Sequence, residues 1–321
     1  LGTAVNGSMD LAAGTDSLTL GNFANTLTAS NIETVVGGTS NDVVVLATQI
    51  NGGTVNLGAG TDTLTLGDFV NTLTASSVET LTGGTNNDIV TLGASQQSGV
   101  IDLGAGTDTV TLGNFANTVT LTNVENITGG TSSDIVTLGS QITTGSVDLG
   151  AGTDSLTLGN FVNTVTLTNI ETITGGNTHD IVTLGAAVTA GYVDLGAGTD
   201  TLDLGNFANT VTAANIETIT GTGSSNTVTL ATQWTSGSIN LGGSYDRLRL
   251  GNFANTITTQ NIEHITGGTS NDTVVVSTAL TNGTVDLGSG TDSFTLGDFA
   301  NTVTIMRAET IVGGTSNDTV V

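Results

Sequence analysis

Apolar and polar residues alternate with a period of two along almost the whole chain. Asp62-Thr63-Leu64-Thr65-Leu66 and Thr118-Val119-Thr120-Leu121-Thr122 are two such runs, and Gly or Asn stands at the breaks between them. This period is that of half-buried β-strands, and no stretch has the 3.6-residue period of a helix. The pattern therefore predicts an all-β protein of short strands joined by tight turns.

The strand pattern itself recurs with a 46-residue period. Phenylalanine marks the period, at Phe23, Phe69, Phe115, Phe161, Phe207, Phe253 and Phe299. Each repeat has two similar halves, because Glu33, Asn56, Glu79 and Asp102 follow one another at an even spacing of half a repeat. A unit this short cannot bury its own apolar face and must stack on its neighbours. We predict an all-β parallel β-solenoid, a β-helix or β-roll-like fold of about 14 coils of 23 residues in seven 46-residue repeats.

The repeats predict one continuous rod over residues 1–321. It comprises a partial coil 1–10, the repeats 11–56, 57–102, 103–148, 149–194, 195–240 and 241–286, and a partial repeat 287–321. The last residues, SNDTVV, followed by the first, LGTAVNGSMDL, would continue the pattern with the loss of one residue. We therefore expect the partners to be copies stacked end to end or adjoining repeats of a longer chain.

The amino-acid composition of the chain excludes several classes of function. Asp and Glu number 28 against three basic residues, Arg247, Arg249 and Arg307, and the net charge of −25 excludes a nucleic-acid binder that relies on Lys and Arg. Without Cys there are no disulfides and no thiolate metal sites. No apolar stretch reaches the roughly 18 residues of a membrane span. His179 and His264 occupy unrelated repeat positions, so we expect neither a zinc site nor an enzyme.

Most of the acidic residues stand at repeated positions. Thirteen aspartates end the Gly turns: Asp16, Asp42, Asp62, Asp88, Asp108, Asp134, Asp154, Asp180, Asp200, Asp246, Asp272, Asp292 and Asp318. Stacked carboxylates about 4.8 Å apart would repel one another by roughly 1 kcal/mol in water, and oxygen donors beside Gly turns suit Ca²⁺. The thirteen are therefore candidate calcium ligands. The alternative is turn chemistry alone, because Asp and Asn both stabilise tight turns and Asn226 stands at one of these positions.

Three further columns have predicted roles. The Phe column is expected to stack in the core. The asparagines found once per repeat are expected to form a corner ladder, with amides bonded along the stacking axis: Asn25, Asn71, Asn117, Asn163, Asn209, Asn255 and Asn301. The Glu and Asp column that recurs once per half-repeat, such as Glu171 and Asp194, is expected to form a solvated outer face.

The turn segments carry a resemblance to a known family. VGGTSNDVVVL (36–46), TGGTSNDTVVV (266–276) and LGAGTDTLTL (57–66) resemble the GGxGxDxUx nonapeptide of the RTX, or hemolysin-type, calcium-binding repeat proteins. The resemblance implies Ca²⁺ held by turn aspartates and Gly-turn carbonyls, type I secretion, and an extracellular or cell-surface location. The family repeats its nonapeptide in tandem, whereas here one such turn occurs per half-repeat, so we expect a wider coil with a single acidic edge.

The function predicted from these features is structural. We expect a non-enzymatic, calcium-stabilised solenoid of a secreted or surface bacterial protein, serving as an adhesin stalk, filament, sheath or S-layer component, with a possible cell-surface or polysaccharide contact. The competing hypothesis is ice binding by outward Thr rows such as Thr65, Thr111 and Thr157. Those rows are interrupted by Val43 and Ile89.

Overall fold

The predicted fold class is confirmed. A computed structural model describes residues 2–321 and shows an all-β parallel solenoid of stacked turns, about 16 rather than the predicted 14 or so. The described residues form 35 strands and no helix, and hence no helix able to cross a membrane. The strands are two to eight residues long, and a turn containing Gly or Asn follows most of them.

The chain divides into two compact units, one ending at Gly159 and one spanning Asn160–Val321. In the first unit the odd-numbered strands pair in parallel as one sheet: β1 (Asn6–Asp10), β3 (Thr26–Ser30), β5 (Val43–Leu46), β7 (Thr63–Thr65), β9 (Thr80–Gly84), β11 (Gln97–Gly104), β13 (Thr118–Thr122), β15 (Ile135–Leu138) and β17 (Ser155–Thr157). The even-numbered strands form the other sheet: β2 (Ser17–Thr19), β4 (Thr34–Gly38), β6 (Asn51–Gly58), β8 (Thr72–Ser76), β10 (Ile89–Leu92), β12 (Thr109–Thr111), β14 (Asn126–Gly130) and β16 (Gly145–Gly150).

The second unit is built in the same way. Its odd-numbered strands are β19 (Thr172–Gly176), β21 (Gly191–Gly196), β23 (Thr210–Ala214), β25 (Thr227–Leu230), β27 (Arg247–Arg249), β29 (His264–Gly268), β31 (Thr281–Gly288), β33 (Thr302–Met306) and β35 (Thr319–Val320). Its even-numbered strands are β18 (Thr164–Thr168), β20 (Ile181–Leu184), β22 (Thr201–Asp203), β24 (Thr218–Thr220), β26 (Ser238–Asn240), β28 (Thr256–Gln260), β30 (Thr273–Val276), β32 (Ser293–Thr295) and β34 (Thr310–Val312). The continuous rod over 1–321 stays a prediction.

The predicted 23-residue coil is wrong. Thr26 pairs with Val43, Val43 with Thr63, and Thr63 with Thr80, so these successive turns advance by 17, 20 and 17 positions. One 46-residue repeat contains five strands, for example β7 to β11. Because five is odd, each repeat completes two and a half turns, and equivalent residues of consecutive repeats lie on opposite sheets. The similarity between the two halves of a repeat reflects related turns, not one circuit of the solenoid.

The core lies between the two sheets and is filled by the apolar half of each alternating run. Val55, Leu57, Leu64 and Val90 are fully buried, and the parallel register stacks like on like, as Leu64 on Leu81. Each buried Leu or Val contributes about 1.5–3 kcal/mol. This filling leaves no place for the repeated phenylalanines, and their predicted core role is wrong. Phe69 is 39 % exposed and its ring lies over Gly67, outside the core.

Candidate metal sites along two buried ladders

Two ladders of polar side chains run along the edges of the solenoid, inside the turns. Each ladder repeats the order Asn, Asp, Asp, Glu over four successive turns, and we call these four residues a ladder segment. One ladder lies just before the strands of the odd sheet and the other just before those of the even sheet. Within the units the segments are Asn25-Asp42-Asp62-Glu79 and Asn71-Asp88-Asp108-Glu125, then Asn163-Asp180-Asp200-Glu217, Asn209-Asn226-Asp246-Glu263 and Asn255-Asp272-Asp292-Glu309.

Every step of a segment is a hydrogen bond to the next turn. The backbone N–H and the Nδ2 of Asn71 donate to Oδ1 of Asp88 at 3.0 and 2.9 Å. The N–H of Asp88 donates to Oδ1 of Asp108 at 2.6 Å, and the N–H of Asp108 donates to Oε2 of Glu125 at 2.8 Å. At each corner the backbone N–H groups leave the hydrogen-bond pattern of the β-sheets. The side chains of the ladders accept hydrogen bonds from these groups. The predicted asparagine ladder is confirmed, although its amides bond to Asp and not to one another.

The structure places the predicted metal ligands on both ladders. Eleven of the thirteen are buried, and Asp16 and Asp318 are partly exposed. Buried aspartates of adjacent turns form the pairs Asp42 with Asp62, Asp88 with Asp108, Asp134 with Asp154, Asp180 with Asp200 and Asp272 with Asp292, and Asn226 pairs with Asp246. The expectation of a single acidic edge is wrong, because the two and a half turns per repeat send alternate pairs to opposite edges.

In eleven of the thirteen aspartates the second carboxylate oxygen has no hydrogen-bond partner. While Oδ1 accepts from the neighbouring turn, Oδ2 is buried and unpaired in Asp16, Asp42, Asp62, Asp88, Asp108, Asp134, Asp180, Asp200, Asp246, Asp272 and Asp292. A buried polar atom without a partner costs about 1–3 kcal/mol, and more if it is charged. Such a cost, repeated at the Asp turns of both ladders, calls for a proton or a cation at Oδ2.

Asn226 shows how the position of Oδ2 is satisfied when the side chain carries a hydrogen-bond donor there. Its Oδ1 accepts from the N–H of Asn209, as the aspartates' Oδ1 does, so the side chain has the same orientation. Its Nδ2 stands where the aspartates carry Oδ2, and donates to the carbonyl of Ser224 at 2.9 Å. An ionised Asp has no hydrogen to offer such a carbonyl. An ionised Asp at this position therefore places its Oδ2, an acceptor, next to a carbonyl oxygen, which is also an acceptor.

Burial raises the pKa of eight of the ladder aspartates. Desolvation, with smaller contributions from the neighbouring Glu and Asp, raises the pKa of Asp62 and Asp108 to about 6. The pKa of Asp200 is also raised to about 6, and that of Asp246 to about 7, again mainly by desolvation. The same cause raises the pKa of Asp88, Asp134, Asp180 and Asp272. Burial thus makes the charged form of these carboxyls less favourable than it is in water, and a bound cation would compensate that cost.

The oxygens around Oδ2 fit a hard cation. A Cβ atom on Gly83 would lie 2.7 Å from Oδ2 of Asp88 and 2.3 Å from the carbonyl oxygen of Leu103, so both oxygens converge on the glycine. Among residues 2–321 no three His, Asp or Glu side chains surround one point. An ion here would therefore be held by one Asp or an Asp pair together with backbone carbonyls, an all-oxygen set of the kind that Ca²⁺ accepts.

The glutamates of the half-repeat column do not form the predicted solvated face. Oε2 of Glu33, Glu79, Glu125, Glu217, Glu263 and Glu309 accepts the N–H of the preceding ladder aspartate at 2.6–2.8 Å. All of them except the exposed Glu309 are half-buried, and each closes a ladder segment. Each stands one turn after its aspartate. This constant spacing predicts the Asp–Glu hydrogen bond from the sequence, but only when the turn length is known.

Comparisons with known proteins do not assign a family. No protein-family model matches the chain, and no curated protein matches it. A solved structure described as a hyperactive, Ca²⁺-dependent, β-helical antifreeze protein from an Antarctic bacterium aligns with 94 % of this chain and 83 % of its own, at 19 % identity and a TM-score of 0.25. At that TM-score and identity the likeness carries no argument about function.

Proposed function

We propose that this chain is a non-enzymatic, calcium-stabilised β-solenoid segment of a secreted or cell-surface bacterial protein of the RTX type. Its role would be structural, as a stalk, filament, sheath or S-layer component, joined end to end with copies or with adjoining repeats. The unpaired buried Oδ2 atoms of the ladders carry the proposal, because repeated orphan carboxylate oxygens need a compensating ion at neutral pH. The resemblance of the Gly-Asp turns to RTX nonapeptides supports the choice of Ca²⁺.

Calcium bound in this way would supply folding free energy. The ladder aspartates of one turn meet those of the next only in the folded solenoid, so an ion held between turns favours the folded chain over the unfolded one. A chain of this kind would stay unfolded at the low calcium level of the cytosol and fold after export. The aspartates and the Gly-turn carbonyls would hold the ion, and its contribution would be electrostatic.

Counting bound calcium tests the proposal. After equilibrium dialysis at pH 7.5 against 1 mM CaCl₂ in 150 mM NaCl, we expect on the order of five Ca²⁺ per chain, one for each pair of aspartates in adjacent turns. Dialysis against MgCl₂ provides the control, because Mg²⁺ demands a stricter geometry and keeps its waters. Fewer than one Ca²⁺ per chain would mean that the ladders are turn chemistry alone.

One observation favours ice binding as a second candidate. On the even sheet of the first unit a column of hydroxyls runs unbroken through seven strands: Ser17, Thr34, Thr54, Thr74, Thr91, Thr111 and Thr128. Hydroxyls about 4.8 Å apart form a regular row, although the flanking columns contain Val36 and Ile89. Measurable thermal hysteresis, lost on Thr74→Tyr, would establish this function. Its absence at millimolar protein would eliminate it.

A further inference from the structure

One short region departs from the repeat and concentrates the chain's basic side chains. Arg247 stands where the other repeats have Ser17, Thr63, Thr109, Ser155, Thr201 and Ser293, and Arg249 stands where they have mostly Thr. His264 likewise replaces Thr34, Thr80, Asn126, Thr172, Thr218 and Thr310. The fold does not require basic residues at these three positions, because short polar residues occupy them in every other repeat.

The three side chains lie together on the outer face of the odd sheet in the second unit. Arg247 and Arg249 flank the fully buried Leu248 on β27, and both are exposed, as the alternation predicts. In the parallel register Arg247 lies opposite His264 and Arg249 opposite Thr266. An open groove of about 330 Å³ follows these strands, lined by the two arginines, His264, Thr229, Thr266 and Asn252. Gly251, Gly267 and Gly268 also line it.

The two arginines have no acidic partner in the described part of the chain. The third, Arg307, pairs with Asp286 through two hydrogen bonds, from Nε to Oδ1 at 2.6 Å and from a terminal nitrogen to Oδ2. Arg247 instead lies over the ring of Tyr245, 5.6 Å from its centroid. Two cations held two residues apart on one strand face repel each other. Leaving both unpaired in a chain of net charge −25 points to an anion supplied from outside.

We propose that this groove binds an acidic saccharide, through the carboxylate or sulfate of a sugar unit. Guanidinium groups bind such oxyanions with paired, charge-assisted hydrogen bonds. Thr229, Thr266 and Asn252 supply the neutral donors and acceptors that sugar hydroxyls require, and the groove is at the small end of the usual range for ligand sites. The site is separate from the ladders and does not depend on the calcium proposal.

A second copy of the chain fits the groove less well. Much of the chain's acidity lies in ladder aspartates that are buried, so another copy presents few of its carboxylates on the outside. Its sheet faces are flat rows of short Thr and Ser side chains, which reach poorly into a recessed groove. A flexible acidic glycan carries its negative charge on protruding groups. It can therefore both offer exposed carboxylates or sulfates to the arginines and reach into the groove.

Calorimetric titration in 1 mM CaCl₂ tests the proposal with three probes of equal length. These are a glucuronate-containing oligosaccharide, a sulfated dextran oligosaccharide and an uncharged dextran oligosaccharide. We expect at least one acidic probe to bind at least tenfold more tightly than the uncharged one, and its binding to weaken as NaCl is raised from 50 to 500 mM. The doubly substituted Arg247→Thr/Arg249→Thr chain should lose at least tenfold in affinity.

Matched variants distinguish a specific binding site from a general attraction by positive charge. Arg307→Thr removes a cation elsewhere and should bind as the unaltered chain does. Thr109→Arg/Thr111→Arg/Asn126→His copies the cluster onto the even sheet of the first unit and should add a second binding site. The proposal is overturned if no acidic probe binds at millimolar concentration, or if the Arg247→Thr/Arg249→Thr chain binds equally well. It is also overturned if the two arginines prove to be needed for self-association, seen by size-exclusion chromatography, and not for saccharide binding.

Discussion

In EDTA, the protein is expected to be most stable in mild acid and to lose stability as the pH rises through 6 to 7. The folded-state pKa of Asp62, Asp108 and Asp200 is about 6 and that of Asp246 about 7, all above the ordinary value of 3.8. A carboxyl with a raised pKa contributes stability that is fully present below 3.8 and is lost as the pH passes its folded-state value. With several such groups acting together, we expect the melting temperature to fall by on the order of 10 °C between pH 5 and pH 8.

Calcium should abolish this pH dependence. The ion would hold the ladder carboxylates in the charged form, so a melt in 1 mM CaCl₂ is expected to vary little between pH 5 and pH 8. Below pH 4 both series should decline, because Arg307 holds the pKa of Asp286 below its ordinary value and that ion pair is lost on protonation. Equal melting temperatures at pH 5 and pH 8 in EDTA would contradict the buried-carboxylate account.

Asp88→Asn is expected to stabilise the chain in EDTA and weaken its response to calcium. Asn226 stands at the equivalent ladder position, so the new side chain would keep an Oδ1 acceptor for the N–H of Asn71 and supply an Nδ2 donor in place of the unpaired Oδ2. Removing an unsatisfied buried group is worth about 1–3 kcal/mol at pH 8. In calcium the same change should reduce the number of bound ions by one.

The reciprocal variant sharpens this test. Asn226→Asp restores the repeat's own residue, so we expect a lower melting temperature in EDTA and a larger calcium-dependent gain. Asp68→Asn serves as the control, because Asp68 is exposed and off the ladders, and it should change neither quantity by more than about 0.5 kcal/mol. If Asp88→Asn and Asp68→Asn behave alike, the ladder aspartates are not calcium ligands.

The strand pattern could be predicted from the sequence because it depends on neighbouring residues, and the asparagine ladder because the same residue recurs once in every repeat. Leu64 is buried and Thr65 is not, as the period of two requires, and Asn71 bonds along the axis as predicted. The turn length could not be predicted in this way. The related Gly-Asp turns, half a repeat apart, suggested a full circuit, whereas Val43 pairs with Thr63 and Thr63 with Thr80.

Errors in side-chain placement followed from that turn length. With these shorter turns the space between the sheets is filled by Leu and Val, so Phe69 lies outside over Gly67. Glu125 lies in the turn after Asp108 on the same ladder, and accepts its N–H instead of facing solvent. The basic groove could not be predicted either, because Arg247 and His264 are far apart in sequence and meet only through the register of β27 and β29.

The most direct test of calcium-dependent folding is a far-UV circular dichroism melt at pH 7.5 in EDTA, repeated after adding Ca²⁺ and, separately, Mg²⁺. We predict that the β-sheet signal or its melting midpoint rises with Ca²⁺ between micromolar and millimolar concentrations and does not respond to Mg²⁺ over the same range. A melt that is the same in EDTA and in Ca²⁺ would contradict the account, and would leave the ladder aspartates as turn residues of a metal-free solenoid.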